Sequence, residues 1–141
     1  MMAIFIGSLM IMSLVGFGLS STRFNNAAPP KIDIPFVVNR ELTTEEIVSL
    51  LTSGKVIIED TYAGNCTDCA IRSQKLQTFF NQFSNFAVIQ SLQGNETSVE
   101  IIGAQGRIRD ITDMEFTDAN LMDAFCEMAI AQPRECLLLD I

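Results

Sequence analysis

A chain of 141 residues has room for one hydrophobic core of ordinary size and not for two. Seventeen acidic side chains against nine basic ones leave a net charge of −8 and no basic stripe, which argues against a nucleic-acid partner, since such binding rests on cations that displace counterions from phosphate. There is no histidine, so serine–histidine and cysteine–histidine catalysis are excluded and the commonest metal ligand is missing.

Residues 1–19 read as a membrane anchor or signal segment. The stretch from Ala3 to Leu19 is apolar apart from Gly and Ser and carries no charge. As a helix it would rise about 25 Å, at the short end for a hydrocarbon layer of roughly 30 Å. Gly16-Phe17-Gly18 and Gly18-Leu19-Ser20 offer small-x-small cleavage patterns, but a basic region ahead of the apolar run is missing, which favours a retained single-span anchor over secretion after cleavage. Arg23, Lys31 and Arg40 follow the span and lean the domain toward the cytoplasm, whereas four cysteines suit an oxidising compartment. The expectation is an extracytoplasmic domain tethered at its N-terminus.

Residues 20–31 change to Ser, Thr, Asn, Ala and Pro and end in Pro29-Pro30, an extended linker. The globular domain is expected over residues 32–141. Phe36-Val37-Val38 is a short strand that Pro35 confines to a sheet edge. Thr43 and Glu46 form a capping box, flanked by Leu42 and Ile47, for a helix that buries Ile47, Leu50 and Leu51 and ends at Gly54. Lys55 to Thr61 follows, with Val56, Ile57 and Ile58 in the unalternated run of a central strand.

That strand leads to Cys66 and Cys69, two thiols three positions apart where strand becomes helix. Such a pair can close a reversible disulfide or hold half of a metal site; the plainer readings are a static loop staple or two reduced buried thiols. Leu76, Phe79, Phe80 and Phe83 recur at helical spacing behind it, which places the pair on the first turn of an amphipathic helix. Phe86 to Leu92 is a second buried strand. Val99–Ile102 and Arg107–Ile111 form a hairpin around Gly103-Ala104-Gln105-Gly106, with Arg107 and Arg109 on a solvated face. Thr117 starts a last helix whose buried face is Leu121, Met122, Phe125, Met128 and Ala129, with Pro133 at its end.

Asp60, Tyr62, Ala63, Gly64, Asn65 and Cys66, taken with this element order, resemble the thioredoxin-like superfamily over about residues 32–131. The resemblance implies an α/β fold, a three-layer α/β/α sandwich with a mixed central sheet, here preceded by one N-terminal hydrophobic helix. It also implies that Cys66 attacks, Cys69 resolves, and Asp60 is a buried carboxylate that moves a proton to or from Cys69. Thr97 and Ser98, which stand where the family carries a substrate-docking cis-proline, are by that place the expected substrate-binding residues, and Gln93 to Ser98 is a short link where the family places a helix. The partners implied are client proteins with thiols or disulfides and a membrane electron donor. No cofactor is implied.

At a helix N-terminus the Cys66 thiolate would be stabilised by the dipole, while Asp68 in the spacer opposes a second negative charge. The expected potential is that of a reductant or isomerase rather than a strong oxidant. Cys126 and Cys136 are read first as a structural disulfide tying the tail to the last helix; a second redox pair and a four-cysteine zinc site are the alternatives. Asn65-Cys66-Thr67 and Asn95-Glu96-Thr97 fit the glycosylation pattern, and a sugar on Asn65 would cover the thiols. The competing class is a scaffold domain that keeps the fold without turnover.

Overall fold

The computed structural model describes residues 32–139, and the anchor and linker read over residues 1–31 lie outside them. The edge strand β1 is Val37–Val38. Helix α1, Thr44–Thr52, starts on the expected capping box: Glu46 N–H donates to Thr43 Oγ1 at 3.2 Å and Thr43 N–H to Glu46 Oε2 at 2.9 Å. It stops in a Schellman turn, with Lys55 N–H on Leu50 O and Gly54 N–H on Leu51 O. Gly54 sits at φ +86°, where a side chain would be strained.

Strand β2 is Val56–Ala63, helix α2 Cys69–Asn81, strand β3 Ala87–Gly94 and strand β4 Ser98–Ile102. A single 3₁₀ turn at Ala104–Gly106 leads to β5, Ile108–Asp110, followed by α3, Asp118–Met128. The sheet order is β1-β3-β2-β4-β5, with β1, β3 and β2 parallel and β4 and β5 joined antiparallel, so β2 lies at the centre of a mixed sheet.

Alternation along the strands sends side chains to two separate cores. Val56, Ile58, Ile89 and Ile101 meet Leu76 and Phe80 of α2 and Leu121 and Phe125 of α3 on one face. Phe80 and Phe125 join the two helices edge to face, 5.6 Å between ring centres. Ile57 and Val88 meet Val38, Leu42 and Leu50 of the α1 side on the other. The result is the three-layer α/β/α arrangement with unequal cover, two long helices on one face and one on the other.

Several details depart from the sequence reading. Strands β2 and β3 each run two residues further than expected, because their parallel register continues through Tyr62↔Gln93 to Ala63↔Gly94. The link from β3 to β4 therefore shortens to Asn95, Glu96 and Thr97. Four Cα steps of about 3.8 Å still span the two strand spacings of about 4.8 Å that separate β3 from β4. Pro133 does not close α3, which ends at Met128, but caps an unforeseen short helix α4, Arg134–Leu137. The strand around Arg109 is turned over: Arg109 faces α3 and pairs with Glu127 there, while Ile108 is 61% exposed on the opposite face.

Candidate functional site

The C-terminal end of β2 carries the thiols. Its last residue, Ala63, accepts the Cys66 N–H at 3.0 Å, closing a tight turn through Gly64 and Asn65. Asp68 occupies the helix cap without a side-chain hydrogen bond, and Cys69 is the first helical residue. The expectation that both thiols sit on the first turn therefore holds for Cys69 alone, and Cys66 lies in the turn ahead of it. The spacing nevertheless brings the two together: Cys66 and Cys69 are bonded, with Cα atoms 5.6 Å apart.

The two residues differ in burial. Cys66 is half-buried, whereas Cys69 is 6% exposed. Cys66 is the more open member of the pair. Thr97, from the loop before β4, closes over the inner sulfur, its Oγ1 3.9 Å from Cys69 Sγ and accepting the Ala63 N–H at 3.0 Å. Ser98 opens β4 opposite Thr61. The peptide bonds of the described residues are all trans, those of the Thr97–Ser98 segment included.

Asp60 shares the face of β2 that carries Ile58, which points it toward α2, and it is 1% exposed. Arg72, one turn into α2, donates from Nη2 to Asp60 Oδ1 at 3.1 Å and lies 3.4 Å from Thr61 O. Asp60 Oδ2 and Arg72 Nε are buried without a protein partner. Sequence reasoning missed Arg72, which reads locally as a solvated helix position; only the register of β2 beneath α2 brings the carboxylate to it.

Cys126 on α3 and Cys136 on α4 form the second disulfide, Cα atoms 5.4 Å apart. Met128, two residues beyond Cys126, packs against Gly103, which follows the end of β4 that pairs with Ile57. The thiol turn lies past the other end of β2. Six residue steps of about 3.3 Å separate these ends, so the two disulfides are not positioned for direct exchange. Among the described residues no group of three or more Cys, Asp or Glu is arranged to hold a metal ion.

No protein-family model matches the chain, and no curated protein does. Thioredoxins and thioredoxin domains are among the similar solved structures. Chloroplastic thioredoxin z shares 13% identity with a TM-score of 0.49, over 69% of this chain and 96% of that one. A thioredoxin from Halobacterium salinarum shares 16% at a TM-score of 0.48, over 70% of this chain and 94% of that one. The J-Trx1 fragment of ERdj5 shares 13% at a TM-score of 0.48 over 67% of this chain, which spans 52% of that fragment.

Proposed function

We propose that this protein performs thiol–disulfide exchange on client proteins through Cys66 and Cys69, held at a membrane by residues 1–19 with its domain on the extracytoplasmic side and recharged by a membrane electron donor. The observation that carries the reading is the asymmetry of the pair: one bond, placed in a strand-to-helix turn, between a half-buried Cys66 and a buried Cys69.

The reaction follows from that asymmetry. In the reduced protein the Cys66 thiolate attacks a client disulfide, forming one S–S bond and releasing one client thiolate. Cys69 then attacks Cys66 Sγ, restoring the internal bond and freeing the second client sulfur. Two electrons pass from the pair to the client. Asp60, with Oδ2 uncommitted, is the carboxylate that would accept the Cys69 proton, and Arg72 fixes its other oxygen.

A scaffold without turnover is the second reading, favoured by the trans Thr97–Ser98 segment and by the engagement of Asp60 with Arg72. The Cys69→Ser variant separates the two. Reduced and mixed with a labelled peptide disulfide, it should form a stable, reductant-sensitive adduct on Cys66; a folded variant that forms none leaves the scaffold.

A further inference from the structure

Thr97 Oγ1 is the polar atom placed against the inner sulfur. A hydroxyl has one proton and two lone pairs. One lone pair takes the Ala63 N–H at 3.0 Å, so the proton remains to be given, and Cys69 Sγ stands 3.9 Å away, within reach of a sulfur hydrogen bond. A proline in this place would offer no side-chain donor. Cys69 is 6% exposed and bonded to Cys66, so its sulfur depends on the protein for stabilisation once reduction makes it a thiol or thiolate.

We propose that Thr97 is a catalytic residue of the exchange reaction: its hydroxyl, held by the Ala63 N–H, donates to the Cys69 thiolate and makes the buried cysteine ready to resolve mixed disulfides. The inference rests on the thiol-exchange reading above. In the step concerned, Cys69 S–H gives up its proton and the thiolate attacks Cys66 Sγ. The Cys66–Cys69 bond forms, the bond from Cys66 to the client sulfur breaks, and the client leaves as a thiolate that takes up a proton. A donor on Cys69 lowers the cost of the first event. A sulfur of an intact disulfide is a weak acceptor and a thiolate a strong one, so the bond strengthens on reduction.

Other charged or titratable groups share this end of the domain and are held constant by the choice of variants. They are Asp60 and Tyr62 on β2, Asp68 at the cap of α2, Arg72 on α2, and Glu96 beside Thr97. The threonine is altered while these are not.

The test uses the full chain carrying Cys66→Ser, which leaves Cys69 as the free thiol, with Thr97 intact or replaced. Titration of thiolate absorbance, checked by the pH dependence of alkylation, should place Cys69 at or below the ordinary thiol value of about 8.5 despite its burial. Thr97→Val should raise that titration by about one unit, a tenfold loss of thiolate at fixed pH, and Thr97→Ser should restore it. In the chain with both cysteines, Thr97→Val should prolong the mixed disulfide about threefold, since a less acidic thiolate is also a better nucleophile.

A Cys69 that titrates above about 8.5 with Thr97 present overturns the proposal, and this result needs no valine variant to fold. Equal titrations of the valine and serine variants overturn it too. If Cys69 responds to Thr97 as stated while the protein exchanges with no client disulfide, the exchange reading fails and the hydrogen bond stands.

Discussion

Arg72 meets Asp60 inside the protein, Nη2 to Oδ1 at 3.1 Å, with the carboxylate nearly sealed from solvent and the guanidinium mostly covered. Burying such a pair is worthwhile only while both members are present. The Arg72→Met variant leaves a buried carboxylate unpaired and is expected to lose about 3 kcal/mol of stability in urea unfolding. Adding Asp60→Asn should return most of that loss. A cost below about 1 kcal/mol for the single variant would mean that the two groups are energetically independent.

Glu59 gives the folded domain a pH dependence opposite to that of its paired acids. Strand register aligns Gln90, Glu59, Glu100 and Asp110 across the face covered only by α1, and like charges directly opposite one another repel. Partial burial, then Glu100 and Glu41, raise the Glu59 pKa above its ordinary 4.5. Folding therefore holds this proton to higher pH than the unfolded chain does. The stability Glu59 contributes is full below 4.5 and is lost as pH rises through the raised value. Glu59→Gln should stabilise the domain at about pH 7 and have less effect at about pH 4.5. An unchanged difference between those pH values would contradict this assignment.

Glu46 runs the other way. The Arg40 guanidinium and the Thr43 N–H hold it down at about 2, so its contribution is present above the ordinary 4.5 and disappears as pH falls toward about 2. Arg40→Gln should raise the Glu46 titration measured by NMR. An unmoved titration would exclude Arg40 as the main cause.

The tail disulfide is expected to act on stability alone. Cys126 and Cys136 are ten positions apart, and opening a loop of that size costs roughly 2 to 3 kcal/mol. The double variant Cys126→Ser, Cys136→Ser should lose about that much in urea unfolding while the midpoint of the Cys66–Cys69 pair is unchanged. A shifted midpoint would show that the pairs communicate.

Local patterns made much of this legible. Thr43 and Glu46 announce α1 because a capping box is written within four residues, and Val56-Ile57-Ile58 announces a central strand because both its faces are buried. The thiol turn was readable for the same reason. What was hidden depends on distant partners. Tyr62, Ala63, Gln93 and Gly94 are strand because β2 and β3 hold one another, not because their own side chains demand it. Arg109 reads as solvated without α3, which places Glu127 beside it, and nothing near Arg72 in the chain points to Asp60, which β2 places beneath it. The place of Thr97 in the chain implies substrate binding, whereas its contact with Cys69 needs the fold.

The central claim is tested most directly by equilibrating the full-length chain in graded thiol buffers, alkylating free thiols and mapping each cysteine by mass. Cys66 and Cys69 should titrate together between about −200 and −280 mV, as a reductant or isomerase would, while Cys126 and Cys136 stay oxidised. No coupled transition of Cys66 and Cys69, or a midpoint above about −150 mV, would contradict the account.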